Sequence, residues 1–173
     1  MNICGIDPGL NGGIIILSEA GHVVARHVMP SIVVKKSGGR SGSEYNLPEI
    51  RAALCSCGKL GHVFVEKVHS MPKQGVASSF TFGVGFGILQ GLLAGMQIPF
   101  TLVTPQSWQK AMFESMAKND TKGTAALVCS RRWPTVDFKA TAACRKAHDG
   151  LCDAALIAEY GRRTLCSATG AKL

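Results

Sequence analysis

Acidic residues are scarce in this chain: 11 Asp and Glu stand against 19 Lys and Arg, for a formal charge of +8. That balance argues for a polyanionic partner. Charged residues of both signs make up only 17% of the 173 residues, against 46% hydrophobic. Such a chain is long enough for one well-buried domain over 1–173 and too short for two ordinary ones. A disulfide framework is also missing. The seven cysteines are odd in number and irregular in spacing, and Cys4, Cys129 and Cys152 fall in core-like apolar patterns, so reduced thiols and a cytoplasmic protein are expected. No complete zinc set exists: Cys144, His148 and Cys152 are spaced by four, while Cys55 and Cys57 lie too close for the usual two-residue gap. No segment has a basic amphipathic or lipidation pattern, and the chain opens on MNICGID, which reads as a strand and not as a leader. No membrane partner is expected.

What is present is an alternation of strands and helices. Residues 2–7, 13–18 and 22–29 read as strands, with turns at Pro8-Gly9 and Ala20-Gly21, so the sheet begins as a meander. Residues 30–45, centred on KKSGGRSGS, read as a mobile basic loop. A helix over 47–57 follows Asn46, then a fourth strand over 62–66. The long apolar segment 77–97 reads as a helix with Gly83, Gly87, Gly91 and Gly95 at every fourth position. That spacing leaves a groove of bare backbone along one side, at about 1 kcal/mol of lost helix propensity per glycine, and another helix can approach it closely. Gln90 and Gln97 interrupt the segment and argue against a membrane span. Gly83, Gly85 and Gly87 imitate a dinucleotide fingerprint, but they lie inside the helix pattern and not between a strand and a helix. A strand over 99–103, a short helix begun at Thr104-Pro105, and helices over 121–132 and 148–163 complete the chain.

Four carboxylates in three segments carry the chemistry: Asp7 in CGIDPGLNGG, Glu66 in VFVEKVH, and Asp149 and Asp153 in HDGLCDAALIA. Asp7 and Glu66 close strands, where ligand sites of α/β sheets collect. Asp149 and Asp153, four apart at a helix start, share a face. Three of the acids have a plainer role available, as an Asx turn at Asp7, a lysine partner at Glu66 or a helix cap at Asp149, while Asp153, followed by Ala154, Ala155, Leu156 and Ile157, faces the core or its rim. Together they need a cation, because unpaired carboxylates are costly to bury. Oxygen ligands suit Mg²⁺ or Mn²⁺, and a pair of such ions suits phosphodiester hydrolysis.

The runs GIDPGLNGG, VEKVHSMPKQGVASSFTFG, VTPQSWQK and HDGLCDAALIA, in this order, resemble the RuvC family of Holliday junction resolvases, especially its phage-encoded branch. The resemblance spans nearly the whole chain. It implies an α/β, ribonuclease H-like fold, with a mixed five-stranded sheet carrying helices on both faces, and a homodimer that cuts opposed strands of a four-way DNA junction. The implied products carry 5′-phosphate and 3′-hydroxyl ends. Asp7, Glu66 and Asp153 match the family's metal-binding acids, holding two Mg²⁺ ions per site, with Mn²⁺ as a substitute. Relatives often place the fourth ligand three residues before the last acid, where this chain has Gly150. Asp149 is the candidate instead, with His148 second. Lys110 and Lys122 match backbone-contacting lysines.

Lys67, Lys73 and Lys118, with Lys35, Lys36 and Arg40 in the loop, extend a candidate phosphate track. His69 stands where relatives carry an aromatic that stacks on unpaired bases, so Phe80 and Phe82 are further stacking candidates. The glycine-ridged helix 77–97 is the candidate dimer interface. No residue identifies a helicase partner. Other functions open to this reading are a ribonuclease H-type or other branched-DNA nuclease of the same fold, and a non-catalytic junction-binding protein.

Overall fold

A computed structural model describes residues 1–35, 37–39, 41–69, 75–113 and 120–168. Strands β1 (Asn2–Asp7), β2 (Gly13–Leu17) and β3 (Val23–Val28) form the expected meander. After the pair β4 (Ser31–Lys35) and β5 (Ser41–Tyr45) come α1 (Leu47–Cys55), β6 (Leu60–Glu66), α2 (Val76–Gly95) and β7 (Phe100–Val103). The chain ends with α3 (Pro105–Phe113), α4 (Thr121–Arg132) and α5 (Asp149–Ala168).

The main sheet is mixed and five-stranded, in the order β3-β2-β1-β6-β7. β1 runs antiparallel to β2 and parallel to β6, which is parallel to β7. The β1–β6 crossover through α1 puts the two acid-bearing strands side by side.

Strand alternation sorts the core into two layers. Cys4, Ile6, Ile14, Ile16, Val63 and Val65 pack with Ile50 and Leu54 of α1 and Leu89 and Leu93 of α2. Ile3, Ile15, Leu17 and Phe64 face the other way, onto Trp108 of α3, Cys129 of α4 and the Leu151–Ala158 stretch of α5. Helices therefore cover both faces, as expected. The approach of α5 to β1 is very close: a Cβ at Gly5 would stand 2.1 Å from the Ala154 carbonyl oxygen.

Within residues 30–45, expected to be a mobile loop, Ser31–Lys35 and Ser41–Tyr45 form an antiparallel ribbon in which Ser31 pairs with Tyr45 and Lys35 with Ser41. The β-branched run Ile32-Val33-Val34 favours extended backbone. Gly38 and Gly39, with φ of +79° and +74°, reverse the chain in the left-handed region, where a side chain would be strained. Lys36 and Arg40 lie outside the described residues.

A buried ion cluster had no sequence signal. Glu159 is fully buried and paired with Arg132, with Arg162 Nε at 2.7 Å and with Arg163 Nε at 2.8 Å. Burial pushes its carboxyl up, but hydrogen bonds from Arg162 and Arg163 and the charge of Arg132 prevail and hold it below the usual range.

Candidate active site

Parity along the strands decides where the first two acids point. Asp7 shares a face with Ile3 and Gly5, and Glu66 with Phe64, so both project toward α5. Ile6 pairs with Val65 in the parallel register, so Asp7 and Glu66 are the next residues along two adjacent strands. Both are half-buried.

The third segment is brought in by missing side chains. A Cβ at Gly150 would lie 2.5 Å from the Asn11 carbonyl oxygen and 2.5 Å from Gly12 Cα, and one at Gly13 would lie 2.7 Å from the Gly150 carbonyl oxygen. The start of α5 therefore sits backbone to backbone on the β1–β2 turn, beside Asp7. No side chain fits at position 150, which gives a steric reason for the absence of an acid there. Gly150→Ala is expected to lower stability by about 1–3 kcal/mol, the usual range for overpacking. Chemical denaturation measures it, and an unchanged midpoint would contradict the close contact.

These acids act on one another electrostatically. Burial pushes the Asp153 carboxyl up, and the charges of Asp7, Glu66 and Asp149 push it further, to about 7, against a small opposing effect of Lys122. Burial also raises Glu66, with Asp7 adding to the rise and a hydrogen bond from Trp108 opposing it. Asp7 is raised by burial, opposed by the Gly9 amide and by His148. Asp149 is more exposed and pairs with Lys122 Nζ at 2.7 Å.

Hard oxygen donors in a partly desolvated, mutually repelling set fit a divalent cation by charge and by ligand type. Their positions are open: among the described residues, no three His, Cys, Asp or Glu side chains converge closely enough to hold one ion as they stand. Uncompensated like charges favour such an open arrangement.

The contacts of three residues beside the acids escaped the sequence reading. Trp108, fully buried on α3, donates its indole N–H to Glu66 Oε1 at 2.9 Å. The run VTPQSW drew attention to Lys110, while the signal was a buried indole, which needs an acceptor. If these acids hold a divalent ion, Trp108→Phe is expected to reduce its affinity, and any turnover that depends on it, by about 10–100-fold, the usual effect of removing a group that orients a ligand. Wild-type metal affinity and turnover in a folded variant would dismiss that role. Tyr45 of β5 stands close enough to Asp7 for the two to interact electrostatically. Gly150 is the third. His148, weighed as a ligand, is half-buried with its Nδ1 unpartnered among the described residues, while its carbonyl accepts from the Leu151 and Cys152 amides at 3.1 Å each.

Lys67, His69, Lys110 and Lys122 are exposed. Lys73 and Lys118 lie outside the described residues. Phe80 is 73% exposed on α2, and Phe82 is half-buried. Cys152 is buried in the core, and its carbonyl accepts from Cys129 Sγ at 3.5 Å.

The face of α2 is unusual. Val76, Phe80, Val84 and Ile88, at every fourth position, are all exposed. Added Cβ atoms at Gly83, Gly87, Gly91 and Gly95 would meet nothing within 4 Å. By length and composition α2 is sufficient to cross a membrane, yet Leu89 and Leu93 tie its second half to the sheet core.

No protein-family model and no curated protein matches the chain. Solved structures do. RuvC of T. thermophilus in complex with Holliday junction substrate superposes with a TM-score of 0.58 at 15% identity, covering 99% of this chain and 98% of that one. Thermus thermophilus RuvC gives a TM-score of 0.52 at 17% identity, with the same coverage. The chain has a RuvC-like, ribonuclease H-like fold.

Proposed function

We propose that this chain is a metal-dependent endonuclease that resolves four-way DNA junctions by paired phosphodiester hydrolysis, in the manner of the phage-encoded branch of RuvC. One observation carries the reading: in a RuvC-like fold, burial together with the charges of Asp7, Glu66 and Asp149 raises the Asp153 carboxyl to about 7. That is a site short of positive charge. Asp7, Glu66, Asp149 and Asp153 would hold Mg²⁺ or Mn²⁺, two ions per site. The chemistry such ions would supply when bound there is the generation of a nucleophile from water and the neutralisation of charge on the leaving 3′ oxygen.

The chain's own residues orient and bind. Trp108 fixes one oxygen of Glu66, and the Gly9 amide donates to Asp7 Oδ1 at 3.3 Å. Lys122, paired with Asp149 across an exposed edge, would exchange that partner for a backbone phosphate. Lys67, Lys110, Lys73 and Lys118 would extend the phosphate track, with His69, Phe80 or Phe82 stacking on unpaired bases.

Paired cutting needs two sites at a fixed distance, and the open glycine ridge and apolar face of α2 support a homodimer through that helix. Val84→Arg, in the middle of that face, is expected to convert the dimer to monomer in sedimentation velocity. An unaltered assembly would place the interface elsewhere. On this reading the protein works in the cytoplasm, that of the bacterial host if it is phage-encoded.

The decisive assay incubates the protein with a synthetic four-way junction in Mg²⁺, beside linear duplex and an RNA–DNA hybrid. Symmetric nicking of the junction alone supports the proposal, and preferential cleavage of the hybrid assigns the ribonuclease instead. The open spacing of the acids favours one other reading, a non-catalytic junction-binding protein. Tight binding without cutting in Mg²⁺ and in Mn²⁺ would establish that one.

A further inference from the structure

The β4–β5 ribbon meets the candidate active site through one residue. Tyr45 ends β5, and its hydroxyl donates to the Pro8 carbonyl oxygen. Among the described residues this is the ribbon's one hydrogen bond to the body of the protein outside its own base, which the Asn46 amide closes onto the Pro30 carbonyl at 3.0 Å. The Pro8 carbonyl and the Gly9 N–H are opposite ends of a single planar peptide unit. The Gly9 end donates to Asp7 Oδ1 at 3.3 Å. Whatever holds the oxygen end of that plane also aims its N–H, and polarises it, toward the carboxylate. The far side of the turn is braced independently, by the Gly12 amide on the Gly9 carbonyl at 2.8 Å.

A slot in α2 receives the Tyr45 ring. A Cβ at Gly85 would lie 2.9 Å from Tyr45 Cε2, whereas the glycines of the four-residue ridge, Gly83, Gly87, Gly91 and Gly95, face open space. Gly85 is outside that ridge and has a separate reason to lack a side chain. The phenol stands near enough to Asp7 to feel its charge, and burial with that charge raises its pKa to about 12, so it keeps its proton at any working pH.

We propose that Tyr45 is a positioning residue for Asp7: seated against Gly85, its hydroxyl locks the Pro8–Gly9 peptide so that the Gly9 amide holds the Asp7 carboxylate in its metal-binding orientation. This inference rests on the nuclease reading, since it assigns Asp7 to a divalent ion. It adds a residue from the ribbon, outside the acid-bearing segments.

Mn²⁺ titration of the full-length protein, followed by calorimetry or by the electron paramagnetic signal of free Mn²⁺, tests it without reference to turnover. Tyr45→Phe keeps the ring and removes the donor, and is expected to weaken Mn²⁺ binding about three- to tenfold, toward the lower end of the range for groups that orient a metal ligand. Gly85→Ala, which drives a methyl against the ring, is expected to reproduce that loss. Tyr160→Phe removes the chain's other phenol hydroxyl and is expected to leave Mn²⁺ affinity unchanged. In junction cleavage, Tyr45→Phe should raise the Mg²⁺ concentration for half-maximal rate by a similar factor while junction affinity stays within about twofold, because backbone contacts dominate that affinity.

Wild-type Mn²⁺ affinity in Tyr45→Phe overturns the positioning role and leaves the nuclease reading intact. An equal loss in Tyr160→Phe overturns it as well, by showing a general effect of removing a hydroxyl. Failure of the wild-type protein to bind Mn²⁺ overturns both.

Discussion

Asp7→Asn is expected to leave four-way junction binding within about threefold of wild type, because phosphate contacts dominate that affinity. On the proposed nuclease reading, the same change should reduce strand cutting by on the order of a thousandfold or more, because it would remove a charged ligand from ions that act as a unit. Asparagine keeps the shape of the side chain and an acceptor for the Gly9 amide, so the β1–β2 turn has no reason to move. A gel-shift titration beside a single-turnover cleavage assay separates the two effects. Loss of binding with cutting retained would overturn the site assignment.

The second large effect concerns stability in the absence of metal. The Asp153 carboxyl titrates near 7 in the folded chain, raised by burial and by Asp7, Glu66 and Asp149, against an ordinary value of 3.8. The folded state therefore binds more protons than the unfolded state between these values, and stability must fall as pH rises through that window. Asp153 contributes fully below about pH 4, and the contribution is gone above about pH 7. Allowing for solvent at the rim, the change is on the order of 3 kcal/mol, or about 6–12 °C in Tm for a chain of this size. Glu66 and Asp7, also raised by burial, act in the same direction.

Thermal unfolding in EDTA is accordingly expected to show a higher Tm at pH 5 than at pH 8. Asp153→Asn should flatten that slope and be more stable than wild type at pH 8. Mg²⁺ should restore wild type most at pH 8, where the acids are charged, and help Asp153→Asn least. A wild-type Tm in EDTA that rises between pH 5 and pH 8 would contradict the repulsive arrangement of the acids.

Much of this architecture could be read from residue order. The apolar runs of β1, β2 and β6, the apolar helix expected over 77–97 and the Thr104-Pro105 start all lie within two residues of where the pattern put them, since local patterning and turn chemistry act over a few residues. The β4–β5 ribbon was missed because KKSGGRSGS drew more weight than the short Ile32-Val33-Val34 run beside it. The contacts of Trp108, Tyr45 and Gly150 were missed for another reason. Each acts on a residue 42, 37 or 138 positions away (Glu66, Pro8 and Gly12), and no periodicity reports such partners.

Taken alone, the sequence determined which residue types were available: oxygen donors at two strand ends and a helix start, on a basic chain with a glycine-ridged helix. Only the tertiary structure decided that these acids interact. The parallel β1–β6 register places Asp7 beside Glu66, and bare glycine backbone lets α5 settle on the β1–β2 turn. The physical reason is that electrostatic repulsion depends on distance through space and on desolvation, and both arise only when segments remote in the chain pack together.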